Sequence, residues 1–260
     1  MQKTDYDKIA STYNQRYSFN YLVNIERELK NLITTNNYKN ILEAGCGTGK
    51  WINSIMNKYV NVLGLDYSLE MLKIPKYDQP NLKLINADAT QIPVKDNFFD
   101  LIFCVNAIHH FPDKVNFISE CQRVLTNNSM LAILGVDPHI DKDWYVYEYF
   151  DSVYKKDLNR FPSLEFLKQL LKEKNFVDVK IKPVENVFNQ RVGEDVFNDP
   201  FLQKNNASQL ANLSDEEYGK GIEKIKNQVN RSPKTIFTSS IIFYLISAKK
   251  KEDRNAYNNK

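Results

Sequence analysis

The chain has 260 residues, 42% hydrophobic and 26% charged, with 35 Lys and Arg against 32 Asp and Glu for a net charge of +3. That composition fits a soluble globular protein with room for one large α/β core, and it gives no electrostatic case for nucleic-acid binding. The three cysteines, Cys46, Cys104 and Cys121, are odd in number and two lie in apolar strand-like runs, which argues against a disulfide framework and for a reducing, cytoplasmic setting.

The opening segment MQKTDYDKIASTYN is polar and has no apolar signal core. From Tyr6 to Asn36 the pattern reads as two helices, the second placing Leu22, Ile25, Leu29, Leu32 and Ile33 on one face. Strands and helices then alternate. NILEAG is a strand, followed by a helix from about Thr48 to Asn57. VNVLGLD is a second strand, followed by a short helix that Ser68 can cap. LKLINAD is a third strand, and FDLIFCVNAI a fourth, apolar enough to be buried on both faces. KVNFISECQRVL is helical, with Val115, Ile118, Cys121, Val124 and Leu125 on one side, and SMLAILGVD is a fifth strand. Beyond Asp137 come an aromatic helical insertion, DKDWYVYEYFDSVY, the amphipathic helix SLEFLKQLLKEKNF and the strand VDVKIKPV. A second insertion spans about 186–233, and IFTSSIIFYLISA, within the last strand, is too short and polar to span a membrane. The alternation predicts a doubly wound, Rossmann-like α/β fold.

Three loop templates compete for Gly45-Cys46-Gly47-Thr48-Gly49-Lys50. A phosphate-binding P-loop needs Gly where Ala44 stands and Ser or Thr where Trp51 stands, so it fails twice. The dinucleotide fingerprint fits Gly45 and Gly47 but puts Lys50 where close helix–strand packing needs a very small residue. The third template, acidic-x-Gly-x-Gly-x-Gly, is met by Glu43, Gly45, Gly47 and Gly49. Alternating glycines let backbone approach a bulky ligand without a Cβ clash.

This third pattern resembles the first motif of the class I S-adenosylmethionine-dependent methyltransferases. The resemblance covers about Tyr6 to Asp137 and is closest to the type 11, ubiquinone/menaquinone-biosynthesis-like small-molecule branch, through YDKIASTYNQRY and IPVKDNFFDLIFCVNAIHHFPD. It implies a seven-stranded sheet, mostly parallel with an antiparallel last strand, and helical cap insertions. It also implies a helical lid over 1–36, a methyltransferase domain over 37–250 with caps at about 139–160 and 186–233, and a flexible tail over 251–260. The implied cofactor is S-adenosyl-L-methionine, leaving as S-adenosyl-L-homocysteine. Its implied contacts are Tyr13 from the lid, Glu43, Gly45, Cys46, Gly47 and Gly49, then Asp66 on the ribose hydroxyls with Tyr67 beside it. Asp88 and Ala89 would take the adenine, and Asn106 the methionine part.

Methyl transfer is a displacement at an already activated methyl group, so the protein mainly aligns the acceptor. A general base helps when the acceptor is a hydroxyl, a protonated amine or a carbon acid. His109 and His139 are the candidate bases, and His110, Trp144, Tyr145 and Tyr149 the candidate pocket residues, the last three from an aromatic run placed where a cap would cover the acceptor. Adjacent histidines ligate one ion poorly, so no metal is expected. The expectation is a methyltransferase acting on O, N or C of a small, partly apolar or aromatic metabolite, as a monomer or homodimer, with no nucleic-acid or membrane partner. The alternatives are a non-methylating, cyclase-like enzyme that keeps the cofactor and a nucleic-acid or protein methyltransferase. The Asn/Asp-Pro-Pro-aromatic motif of the amino-methylating nucleic-acid enzymes is absent at VNAIHH.

Overall fold

In the computed structural model, residues 22–78, 82–204 and 206–252 are described. Helix α1 (Val23–Asn36) buries Ile25, Leu29 and Ile33, one residue per turn, and stops where Asn37 adopts a left-handed φ of 54°. The first of the two helices expected between Tyr6 and Asn36 lies outside the described residues.

Seven strands follow: β1 (Asn40–Ala44), β2 (Asn61–Asp66), β3 (Lys83–Asn86), β4 (Phe99–Val105), β5 (Leu125–Gly135), β6 (Phe176–Val192) and β7 (Ile236–Lys250). They form one sheet in the order β3-β2-β1-β4-β5-β7-β6. Strands β1 to β5 pair in parallel, and β7 runs antiparallel between β5 and β6. The strand order reverses between β1 and β4, which opens a crevice at the carboxyl edge there.

Alternate residues of the central strands feed opposite cores. Leu101, Phe103 and Val105 join Ile25, Leu29, Trp51 and Ile52 on one face. Ile102 and Cys104 join Phe117, Ile118, Leu167 and Leu171 on the other. A strand buried on both faces reads as a continuous apolar run, which is why β4 was legible as central. The connecting helices are α2 (Lys50–Ile55), α3 (Leu69–Asp78), α4 (Lys114–Val124) and, after the cap helices α5 (Val146–Tyr149) and α6 (Val153–Arg160), α7 (Leu164–Glu173). Ser68 caps α3 as expected, its Oγ accepting from the Met71 N–H at 3.2 Å.

Several boundaries differ from the sequence pattern. Helix α2 is shorter than expected because Gly49 enters it in a left-handed conformation and Met56 is already extended. In α4 the inward face is Phe117, Ile118, Cys121 and Val124, whereas Val115 is exposed and Leu125 begins β5. The aromatic insertion splits into α5 and α6. Strand β6 pairs with β7 as far as Val192↔Ile236, so residues 186–192 of the expected second insertion are strand. Beyond them lie α8 (Ser208–Ala211) and α9 (Asp215–Arg231), the latter opened by a Ser214–Glu217 capping box. Residues of both insertions share a third core containing Trp144, Tyr145, Phe150, Leu210, Ile225 and Phe237. No helix among the described residues is long and apolar enough to cross a membrane.

Phe117 is fully buried and its ring lies 4.7 Å from that of Phe111, beneath the chain that leaves β4. Phe117→Ala is expected to cost about 3–5 kcal/mol of unfolding free energy, measured by urea denaturation. A loss below about 1 kcal/mol would mean that the ring does not support this core as described.

Candidate functional site

Strand β1 delivers the chain into three glycines with φ of 73°, 52° and 75° at Gly45, Gly47 and Gly49. A side chain at Gly45 is excluded twice, by that φ and by contact: an added Cβ would sit 2.5 Å from Ala107 Cβ. At Gly47 an added Cβ would meet nothing within 4 Å, so the loop faces open space there. The loop is tied to β2. Gly45 and Cys46 N–H both donate to Leu65 O, at 2.7 and 3.0 Å. Asp66 completes the tie: its Oδ2 accepts from the Gly47 N–H at 2.7 Å and its Oδ1 from the Ser68 N–H at 2.8 Å.

Glu43 lies beneath this loop with no exposed surface. Its Oε2 accepts from the Ile52 N–H at 3.1 Å, while Oε1 is buried with no hydrogen-bond partner. Burial drives the carboxyl well above the usual carboxylate range; the Ile52 N–H opposes this and the charge of Asp66 adds to it.

The neighbouring strand ends supply the rest of the edge. Asp88, just past β3, accepts from Thr90 N–H and Thr90 Oγ1 through Oδ1, both at 2.8 Å, and Ala89 beside it is buried. Asn86 Nδ2 donates to the Asp66 and Tyr67 carbonyls, joining the ends of β2 and β3. The Tyr67 side chain is 62% exposed beside them. Asn106, past β4, holds a left-handed φ of 49° and donates its N–H to Leu134 O at 2.7 Å. The glycine loop, Asp66, Asp88 and Asn106 therefore stand at the carboxyl ends of four adjacent strands. Tyr13 lies outside the described residues.

On the β5 side a cleft of about 100 Å³ lies between the strand ends and the cap. Asn106, Asp137, Trp144, Tyr147, Phe201 and Phe243 are among its walls. Of the pocket residues expected from sequence, Trp144 lines it. Tyr145 does not: it is buried in the cap core, where its hydroxyl donates to Asp199 Oδ2 at 2.9 Å. Tyr149 packs its ring near Phe237 in the same core region. Tyr147 lines the cleft instead, its hydroxyl held by Asp157 Oδ2. Its spacing of three from Trp144 is the helical-neighbour signal that could have selected it. Asp141, Phe201 and Gln209 also line the cleft, and nothing in their sequence context marks them.

None of the three histidines lines the cleft. His109 is 4% exposed, stacked on Phe161 at 3.9 Å and beside the His110 ring at 3.9 Å. It borders a smaller cavity with Phe161, Leu167 and Tyr244. His139 is accessible, and buried Asp137 fixes its ring: Asp137 Oδ1 lies 2.9 Å from both His139 N and Nδ1. Asp137 Oδ2 accepts from the Leu164 N–H at 2.8 Å, so one carboxylate sets both the imidazole and the start of α7. Among the described residues no cluster of His, Cys, Asp and Glu has the arrangement of a metal site.

A family model described as "Methyltransferase domain" matches residues 42–133, from β1 into β5. Demethylmenaquinone methyltransferase of Staphylococcus aureus is 26% identical over 166 residues, covering 54% of this chain and 69% of that protein. The solved YcgJ protein of Bacillus subtilis superposes with a TM-score of 0.60 at 17% identity, covering 85% of this chain and 97% of that one. Phosphoethanolamine N-methyltransferase 2 of Haemonchus contortus, solved with phosphomonomethylethanolamine and S-adenosylhomocysteine, superposes with a TM-score of 0.51 at 18% identity over 82% of this chain and 49% of that one. At these identities the two structures establish the fold alone.

Glu43 yields a test that needs no ligand. A carboxyl whose folded pKa is raised keeps its proton after the unfolded chain has lost it, so the folded state binds more protons and stability falls as pH rises above the unfolded carboxyl range. Glu43→Gln imitates the protonated form. It is expected to reduce the decline in unfolding free energy between pH 5 and 8, measured on ligand-free protein. An unchanged slope would show that Glu43 ionises freely in the folded chain.

Proposed function

We propose that the chain is a class I S-adenosylmethionine-dependent methyltransferase of the menaquinone/ubiquinone-biosynthesis-like type, a reading supported by the matched methyltransferase domain and its relatives, and that it methylates an O, N or C atom of a small, partly apolar or aromatic metabolite held in the cleft at the ends of β4 and β5. The observation that carries this reading is the continuity of the cleft with the strand edge: Asn106 belongs to both, and Trp144, Tyr147, Phe201 and Phe243 give the far walls their apolar character. The relatives named demethylmenaquinone methyltransferase are named for a quinone acceptor, and an acceptor with a ring is in keeping with these walls.

S-adenosylmethionine supplies the methyl group, activated on a positively charged sulfonium, and departs as S-adenosylhomocysteine. The chain's residues fit it. Gly47 faces open space beside the loop, and Glu43 keeps an unused buried oxygen beneath it. We assign Glu43, Gly45, Cys46, Gly47 and Gly49, with Asn106, to the methionine part. Asp66 takes the ribose hydroxyls, with Tyr67 beside the adenine, and Asp88 and Ala89 hold the adenine edge. The bonds from Gly47 and Ser68 fix the Asp66 carboxylate before any ligand arrives, so little ordering remains to be done on binding.

What remains is orientation, exclusion of water and management of a proton. The cap walls orient the acceptor and keep water from the edge. Of the two candidate bases, His139 is the better arranged. Its Nδ1 is committed to Asp137, which leaves Nε2 on the opposite side of the ring for an acceptor proton. His109, buried and stacked on Phe161, supports the chain that follows β4. The buried free thiols of Cys46, Cys104 and Cys121 suit a reducing, cytoplasmic setting.

Asp66→Ala is expected to weaken S-adenosylhomocysteine binding about ten- to hundredfold, the scale of charge-assisted hydrogen bonds, by isothermal titration. Unchanged affinity would remove the ribose from this position.

A further inference from the structure

Two of the side chains that line the cleft each hold a buried polar atom with no hydrogen-bond partner, and the two atoms are of opposite kinds. Asp141 Oδ2 is an acceptor and Trp144 Nε1 is a donor. The Trp144 side chain is 6% exposed, so solvent does not satisfy it. Buried polar groups are seldom left unmatched, because each forfeits its hydration without compensation.

The charged residues that line the cleft share one sign. Asp137, Asp141 and Asp143 all line the cleft, and no Lys or Arg is among the described lining residues. The nearest lysine in sequence, Lys142, sets its ammonium over the Tyr154 ring at 5.7 Å. His139 faces Asp137 and not Asp141. The Tyr244 hydroxyl lies close enough to lower the pKa of the Asp141 carboxyl, and Oδ2 has no hydrogen-bond partner.

We propose, building on the reading of this cleft as the acceptor pocket, that the acceptor is an amine, with its nitrogen donating to Asp141 Oδ2 and an oxygen or nitrogen elsewhere in the same molecule accepting from Trp144 Nε1. Asp141 is then the residue that selects the acceptor by charge. Burial, and then the nearby Asp137 and Asp143 charges, push the Asp141 carboxyl above its ordinary range, and a cationic nitrogen offsets both effects. Trp144 and Tyr147 favour the same charge through their rings. An anionic acceptor would meet a wall that holds Asp137, Asp141 and Asp143 and no lining Lys or Arg, with Arg160 behind it and bonded to Ser208, which discriminates against it.

The test uses the full chain loaded with S-adenosylhomocysteine and three probes of one shape: tyramine, its neutral alcohol tyrosol, and the anion 4-hydroxyphenylacetate. Each carries a phenol oxygen for Trp144. Titration calorimetry is expected to rank tyramine roughly ten- to hundredfold tighter than tyrosol, with the anion weakest. Asp141→Asn, which keeps the size of the side chain, is expected to erase the gap between tyramine and tyrosol while leaving S-adenosylhomocysteine affinity unchanged. Tyrosol or the anion binding as tightly as tyramine, a persistent gap in Asp141→Asn, or no tyramine binding at millimolar concentration would each overturn the proposal. Phe201→Ala separates the two levels of inference. If tyrosol binds as tightly as tyramine and Phe201→Ala weakens both, the cleft stands and the amine falls. If Phe201→Ala affects no probe that binds, the cleft assignment falls as well.

Discussion

The carboxyl edge depends on how closely the chain leaving β1 passes the chain leaving β4. At Gly45 the two come near enough that a single added carbon would overlap Ala107. This approach is possible because β1 and β4 are hydrogen-bonded neighbours at the reversal of strand order, where consecutive connections diverge to opposite faces. At Gly45 the loop then has no room for a side chain, whereas at Gly47 its backbone faces open space. Leu65 and Asp66 accept its N–H groups, so the end of β2 holds the loop in the same conformation. A ligand meets a surface of backbone braced by one carboxylate.

Electrostatics divides this edge into two regimes. Under the loop, Glu43 is enclosed and favours its neutral form, and the buried Cys46 thiol is likewise held protonated, chiefly by desolvation. Out on the rim, Asp66 and Asp88 accept hydrogen bonds from the backbone around them.

How much of this was legible in the sequence varied with the range of the interactions. The order of β1 to β5 and the positions of Asp66, Asp88 and Asn106 follow from apolar runs ending in polar residues, a local pattern that both-sided burial enforces. Helix ends were less legible, since Gly49 and Met56 shorten α2 through backbone conformations that periodicity does not record. The cleft side was least legible. Tyr145 and Tyr147 are alike in sequence, yet one bonds Asp199 within the cap and the other lines the cleft. The difference is set by partners 54 and 10 residues away. Asp141 gains its significance only when Ser240 to Phe243 and Phe201 close around the same space.

The long β6–β7 ladder has an architectural consequence. The last rung joins Val192 to Ile236, and Gly193 N–H still reaches Thr235 O at 2.9 Å, so the segment holding α8 and α9 leaves the sheet and returns to it at a single point. Gly193 stands there with φ of 55°, and a Cβ on it would collide with the Pro233 carbonyl oxygen, which pins the crossing. A segment whose two ends are already joined adds little chain-closure entropy as it grows or shrinks. This part of the cap can therefore be lengthened, trimmed or exchanged without disturbing the carboxyl ends of β1 to β4, so the two sides of the edge can change on separate pieces of one chain.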